Sequence, residues 1–277
     1  MAPISSVVVT TSERTIDAYL AVPPSSQGRG PAVIIIHEIF GPDAHIRSVV
    51  ERFAVEGYVA IAPDLFTGEI GRLLTPDAVR ESMAFLRSLP PEVQRDPVQI
   101  QQRIAAKSPR EQAPLKALRR IQDPAQQRRF GSELVDVARY LRGRPMVDPR
   151  GIGAVGFCFG GAMAGLLASL DPELRAAVIF YGNNPPDDLI PNIRCPVLGQ
   201  YGSEDHRITD TVPSLSAAMA AAGKEFTFHV YPEAQHAFFN DSRPQVYREE
   251  AARLAWQRTL SFLKANLGER VASSGAR

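Results

Sequence analysis

The segment Gly156-Phe157-Cys158-Phe159-Gly160-Gly161 restricts what this chain can fold into more than any other. It overlaps the end of an apolar run at residues 152–157 and leads directly into a small-residue helical stretch at 162–168. A turn that sharp between strand and helix leaves little room two positions before and after its central residue, and glycine occupies both places. The central cysteine would stand at a helix N-terminus, where the helix dipole favours a sulfur carrying negative charge. The amide of Phe159 would point toward a developing oxyanion. The plainer reading of the same residues is a buried, inert cysteine beside a tight turn.

The rest of the chain supplies the setting that such a turn needs. Residues 7–9 and 18–22 read as a leading antiparallel pair. Residues 32–37 include Val33, Ile34, Ile35 and Ile36, a continuous run that suits a strand buried on both faces. Further strands are expected at 58–62, 152–157, 176–181, 197–201 and 226–231. Helical patterns fall between them at 46–56, 131–142, 160–170, 214–222 and 245–267. This alternation predicts an α/β fold, a mostly parallel central sheet with helices on both faces, as a single domain over residues 1–267. Residues 67–127 depart from it, being far longer than an ordinary connection. Short helices are expected there at 78–89, 98–106 and 115–121, broken by Pro90-Pro91, Pro97, Pro109, Pro114 and Pro124. The stretch reads as a helical, lid-like insertion. Residues 268–277 read as a flexible tail.

Composition enters mainly through what it excludes. A net charge of +1 gives no global signature of nucleic-acid or anionic-membrane binding. Residues 67–150 carry sixteen Lys/Arg against ten Asp/Glu, which suits solvated helix faces or a mildly cationic lid. The two cysteines, Cys158 and Cys195, do not make a disulfide framework, so a reducing, cytoplasmic setting is expected. The N-terminus lacks the basic and apolar pattern of a signal peptide, and no run approaches the roughly 20 apolar residues of a membrane span.

Two further segments bear groups that could serve Cys158. Gly202-Ser203-Glu204-Asp205-His206 follows the second strand after the turn, where an acid can orient a histidine. Asp205 is the preferred acid and Glu204 the competitor; either could instead cap a turn or helix. His236 lies in the loop after the last strand, and the order Cys158, Asp205, His236 is that of nucleophile, acid and histidine in α/β-hydrolases. Of the remaining histidines considered, His229 reads as structural within a strand, His45 as a helix-surface residue and His206 as a neighbour of the acid. No spacing suggests a metal site. At the end of the first buried strand, His37-Glu38-Ile39-Phe40-Gly41-Pro42 can supply a second oxyanion amide from Ile39. Glu38 can point into the cleft there or simply cap a helix.

On these residues the chain resembles the dienelactone hydrolase (carboxymethylenebutenolidase) family. The supporting segments are Glu38 through Gly41, Ala62-Pro63-Asp64-Leu65, the cysteine turn, Tyr181-Gly182, Gly202 through His206, and Glu233 through Phe238. The resemblance covers residues 16–267 apart from the insertion. It implies that Cys158 is the nucleophile, His236 its general base, and Asp205 the residue that orients His236. It also implies an oxyanion hole from the Ile39 and Phe159 amides, and a Glu38 that holds the resting cysteine and helps to ionise it. The family's substrate is a small unsaturated lactone whose carboxylate is held by arginines. This chain has Asn240 where the family's type enzyme has an arginine four residues past the histidine. Arg80, Arg128 and Arg129 are candidates for the other.

The resulting expectation is a carboxylic ester hydrolase that cleaves a small ester or lactone and needs no cofactor. The alternatives are a carboxylesterase or thioesterase with another substrate, and a non-catalytic binding protein on a hydrolase scaffold.

Overall fold

β-branched and small apolar residues dominate the central strands, and in the computed structural model these strands are buried on both faces. Residues 3–24 and 28–268 are described. β1 (Ile4–Thr10) and β2 (Thr15–Ala21) form an antiparallel hairpin. β2 then pairs antiparallel with β4 (Val59–Pro63). From there the sheet is parallel, through β3 (Gly30–Ile36), β5 (Val147–Phe157), β6 (Ala176–Phe180), β7 (Val197–Gly202) and β8 (Phe226–Tyr231). The spatial order is β1-β2-β4-β3-β5-β6-β7-β8.

The side-chain period of two sorts the apolar residues of one strand into two cores. In β3, Ala32, Ile34 and Ile36 face one core, and Val33 and Ile35 face the other. The second core is closed by α1 (Ala44–Val55), through Ile46, Val49, Val50 and Phe53, and by the C-terminal helix. The first is closed by the helices that follow β4 and β5. α1 starts on an Asp43 cap, whose carboxylate accepts from the Ile46 amide at 3.0 Å.

After β4 the chain forms α2 (Glu69–Leu73), α3 (Pro76–Ser88), α4 (Pro91–Gln94), α5 (Pro97–Ala105), α6 (Pro109–Arg120) and α7 (Pro124–Arg142). The prolines act here as starters more than as breakers. Each of α3 to α7 begins on one, at the position where a missing N–H costs nothing. For that reason α6 starts at Pro109 rather than 115, and α7 at Pro124 rather than 131. Only Pro114 falls inside a helix in this stretch. Thr75, Asp96, Ser108 and Asp123 cap four of the starts, and Ser108 forms a reciprocal capping box with Glu111.

The stretch is tied to the sheet at both roots by Arg14, on the turn of the β1–β2 hairpin. Its guanidinium donates to both oxygens of the fully buried Glu133 on α7, at 2.7 and 3.0 Å, and to the carbonyls of Leu65 and Thr67. Removing one partner of such a buried pair typically costs about 3–5 kcal/mol.

Past β5, α8 (Phe159–Leu170) is buried along almost its whole length. α9 (His206–Thr209) and α10 (Val212–Ala221) follow β7, and α11 (Glu249–Leu267) ends the fold. α11 starts later than the pattern suggests, because the chain at 241–248 remains in turns anchored by the Arg248 amide on the Phe238 carbonyl. Among the described residues no helix is long and apolar enough to cross a membrane. The tail expected beyond residue 268 lies outside the described residues.

Candidate active site

The parallel strands all deliver their carboxyl ends to one side of the sheet, which is where open α/β sheets bind ligands. Cys158, Asp205, His236 and Glu38 follow β5, β7, β8 and β3 on that side. The turn at Cys158 is strained, with φ +55° at a residue bearing a side chain. Its geometry demands the flanking glycines. A Cβ on Gly156 would lie 1.8 Å from the Gly160 carbonyl oxygen, and one on Gly160 would lie 2.1 Å from that of Ile36. The Cys158 amide donates to the Phe180 carbonyl at 3.0 Å, fastening the turn to β6.

The acid and the histidine sit on neighbouring loops that are stitched together. The Ser203 amide donates to the Tyr231 carbonyl, the Glu204 amide to the Ala234 carbonyl, and the Glu233 amide to the Ser203 hydroxyl, all at 2.9–3.0 Å. In this frame His236 Nδ1 lies 2.5 Å from Asp205 Oδ2. Asp205 is buried. Glu204, the competing acid, is engaged by the Ser203 hydroxyl instead. Burial pushes the His236 imidazole toward neutrality. The negative charge of Cys158, hydrogen bonds to Asp205 and Cys158, and the charge of Asp205 outweigh it and raise the pKa to about 10. One ring is therefore fixed by the carboxylate and feels the charge of the sulfur.

Glu38 is 2% exposed. Its Oε2 accepts from Asn240 Nδ2 at 2.9 Å, while its Oε1 is buried without a hydrogen-bond partner. Asn240 is itself held, its Oδ1 accepting from the Ser242 hydroxyl at 2.6 Å and the Ser242 amide at 3.1 Å. The Tyr181 hydroxyl shares this pocket. Burial, followed by the charges of Glu38 and Cys158, holds its pKa well above the ordinary phenol value. The Tyr181 ring also packs edge-on against His236, with centroids 5.1 Å apart.

The amides of Ile39 and Phe159 make no hydrogen bond to any acceptor among the described residues. Phe159 is the first residue of α8 and Ile39 lies in the turn after β3, so both are free to serve an external oxygen.

Backbone strain is concentrated at this side of the sheet. Among the described residues, the non-glycine residues with positive φ are Cys158, Tyr181, Glu233 and Ala237. The first is the turn cysteine, the second contacts His236, and the other two flank it.

His45 is not a helix-surface residue. It is buried against Phe157 and Phe239, and its Nδ1 lies 2.9 Å from Asp241 Oδ1, next to Asn240. No sequence signal reveals a pairing across that much intervening chain. The suggested arginines are already paired with acids: Arg80 with Asp77, Arg128 with Asp188, and Arg129 with Glu13 and Glu133. Arg243, which sequence reasoning passed over, stands 5.7 Å from the Phe40 ring centroid, and its charge reaches Tyr181. Cys195 is buried, and burial pushes its thiol up to about 12, far from a reactive state.

A strand-to-helix turn bearing a cysteine, followed in chain order by an acid and a hydrogen-bonded histidine, on a sheet of this topology, defines an α/β-hydrolase. A sequence profile of the dienelactone hydrolase family matches residues 16–267, and the chain belongs to that family. It is 36% identical to a protein of Saccharolobus solfataricus provisionally named carboxymethylenebutenolidase, over 90% of this chain and 93% of the other. A counterpart from Escherichia coli K12 with the same provisional name is 31% identical over 97% and 94%. Among solved structures, a provisionally named dienelactone hydrolase from Klebsiella pneumoniae superposes with a TM-score of 0.71 at 30% identity, covering 95% and 98% of the two chains. The chain is thus a hydrolase of a family acting on lactone and ester substrates, and the binding-protein alternative falls.

Proposed function

We propose that the protein hydrolyses a small ester or lactone through Cys158. The observation that carries this reading is the His236 ring, hydrogen-bonded to the buried Asp205 and lying within the field of Cys158. The Cys158 thiolate attacks the carbonyl carbon, and the oxyanion is received by the Ile39 and Phe159 amides. Each such donor is typically worth about 2.7–4 kcal/mol of barrier. The intermediate collapses to a thioester as the leaving oxygen takes a proton from His236. Water then gives a proton to His236 and attacks the thioester, releasing the acid and the thiolate. Asp205 keeps Nδ1 protonated and the ring oriented. Glu38, with one oxygen free and Tyr181 shared with Cys158, holds the resting cysteine and helps to ionise it.

A thiolate is also a good leaving group, so activated substrates such as enol esters and enol lactones suit it better than amides. Asn240 is a neutral amide already committed to Glu38 and Ser242, so it offers a substrate carboxylate neither a positive charge nor a free donor from that bond. Arg243, which lies by the Phe40 ring and whose charge reaches Tyr181, is the candidate to hold an anionic substrate. A neutral ester is the second reading, favoured by Asn240 in the arginine's place. The insertion at 67–127 serves as a lid: Phe66, at its root, packs 5.3 Å from Phe159, centroid to centroid, and Leu73 and Met83 lie against the same core.

The test compares a carboxylated dienelactone with a simple aryl ester, using wild type and Cys158→Ala. Turnover that falls by about 10⁴-fold or more in the variant supports the mechanism, and the preferred substrate decides between the two readings. Full activity in Cys158→Ala removes the cysteine from the reaction.

A further inference from the structure

We propose that His37, which belongs neither to the nucleophile, acid and histidine nor to the oxyanion donors, is the residue that sets the oxyanion hole. The proposal rests on the reading of Cys158 as an acylated nucleophile. His37 is fully buried at the end of β3. The Leu65 amide donates to its Nε2 at 3.2 Å, so that nitrogen carries the lone pair. The neutral ring must then hold its proton on Nδ1, and Nδ1 lies 2.6 Å from the Glu38 carbonyl oxygen. Burial favours this neutral form over the opposing pull of Asp64, the Glu38 carbonyl and Asp43.

The consequence follows from peptide geometry. In a trans peptide the C=O and the following N–H point in opposite directions. The Glu38 carbonyl is pulled one way by His37 Nδ1–H and by the Gly41 amide at 3.2 Å. The Ile39 N–H is therefore driven the other way and left without a protein acceptor. The same imidazole stacks on Phe159, with centroids 5.9 Å apart and an interplanar angle of 27°, so it also braces the segment bearing the second donor. Its other edge meets Phe66 at 4.7 Å. One ring thus fixes one donor peptide, buttresses the other, and takes its own orientation from Leu65 and Phe66 at the root of the insertion. A preorganised donor pair of this kind accelerates acyl transfer because it does not have to reorient when charge develops.

The test separates reactions that need an oxyanion hole from one that does not. Iodoacetamide alkylates a thiolate at a saturated carbon and forms no oxyanion, whereas an aryl ester acylates through one. In His37→Leu, the pre-steady-state acylation rate with an aryl ester should fall by about 10²-fold, the usual effect of losing one donor. Alkylation of Cys158 by iodoacetamide should stay within about two-fold of wild type, as no oxyanion donor takes part in it. His37→Gln, which can present both a donor and an acceptor, should recover most of the acylation rate. Equal losses in both reactions, or an unchanged acylation rate, would overturn the assignment. The wild-type protein gives an independent reading by ¹⁵N NMR: the His37 imidazole should be the neutral tautomer protonated on Nδ1. The Nε2-protonated form would overturn the assignment even if the leucine variant failed to fold. Failure of the underlying mechanism looks different, since ester turnover would then survive in Cys158→Ala whatever His37 does.

Discussion

The loops at the carboxyl ends of the strands and the helices of the insertion are built on opposite principles. The loops hold residues in unfavourable backbone conformations, with positive φ at Cys158, Tyr181, Glu233 and Ala237, and they bury Glu38, Asp205 and Asn240. The insertion relies on neither device to the same degree: its helices start on prolines, carry ordinary caps, bury only Ser82 among polar residues, and expose many of their charges. The site is held in place by the sheet, whose close approaches leave no freedom. The helices that follow β4 obey local rules of capping and proline placement. Strain persists only where surrounding structure over-determines it, and here that is the sheet edge.

The largest effect that sharpens this contrast is expected from a single methyl group. Gly160→Ala places a Cβ 2.1 Å from the Ile36 carbonyl oxygen and 2.7 Å from that of His37. It should cost about 3 kcal/mol or more and abolish turnover, as read by denaturant unfolding and ester hydrolysis. A stable, active variant would show that the turn is softer than its contacts imply.

An intermediate effect concerns pH. The His236 pKa is raised from its ordinary 6.5 to about 10, with burial opposing and the Cys158 charge leading the upward pull. The imidazolium should therefore persist through neutrality, and on the alkaline side acylation should decline as pH rises through about 10. The linked stability has the same sign, present in full below 6.5 and lost as pH climbs toward 10. A stopped-flow acylation profile that breaks near neutrality would contradict the electrostatics of the loop pair.

The smallest effect belongs to the insertion. Ser108→Ala removes one half of the capping box with Glu111, and should lower stability by about 1 kcal/mol while leaving kcat unchanged. Thermal unfolding beside steady-state kinetics would check both halves. A marked loss of kcat would mean that the insertion takes part in the reaction more closely than its surface helices suggest.

Legibility in the sequence follows the same division. The strands were readable because β-branched runs such as Val33 through Ile36 have few other uses, and the turn at Cys158 because only glycine fits beside it. Asp205 and His236 are placed in the sequence by chain order and by the strands they follow, and the stitching through Ser203, which engages Glu204, supports the preference for Asp205. What could not be read were pairings between distant residues: His45 with Asp241, Asn240 with Glu38, Arg14 with Glu133. Each depends on which loops meet across the sheet, a property of topology rather than of local pattern. His37 was visible as a residue and silent as to role, because its work lies in two backbone groups. The insertion's helix starts were misplaced because proline reads as an interruption from outside and as a first turn from within.

The grip of Arg14 on Glu133, Leu65 and Thr67 also bears on how this chain could diversify. One guanidinium gathers the outgoing and returning strings of the insertion at its neck, much as a drawstring closes a pouch. Whatever the length of the pouch, its neck is fastened to the sheet at Glu133, Leu65 and Thr67. The knot itself is tied by the opening hairpin, so a segment far from the chemistry in sequence governs whether new pouches can be sewn on.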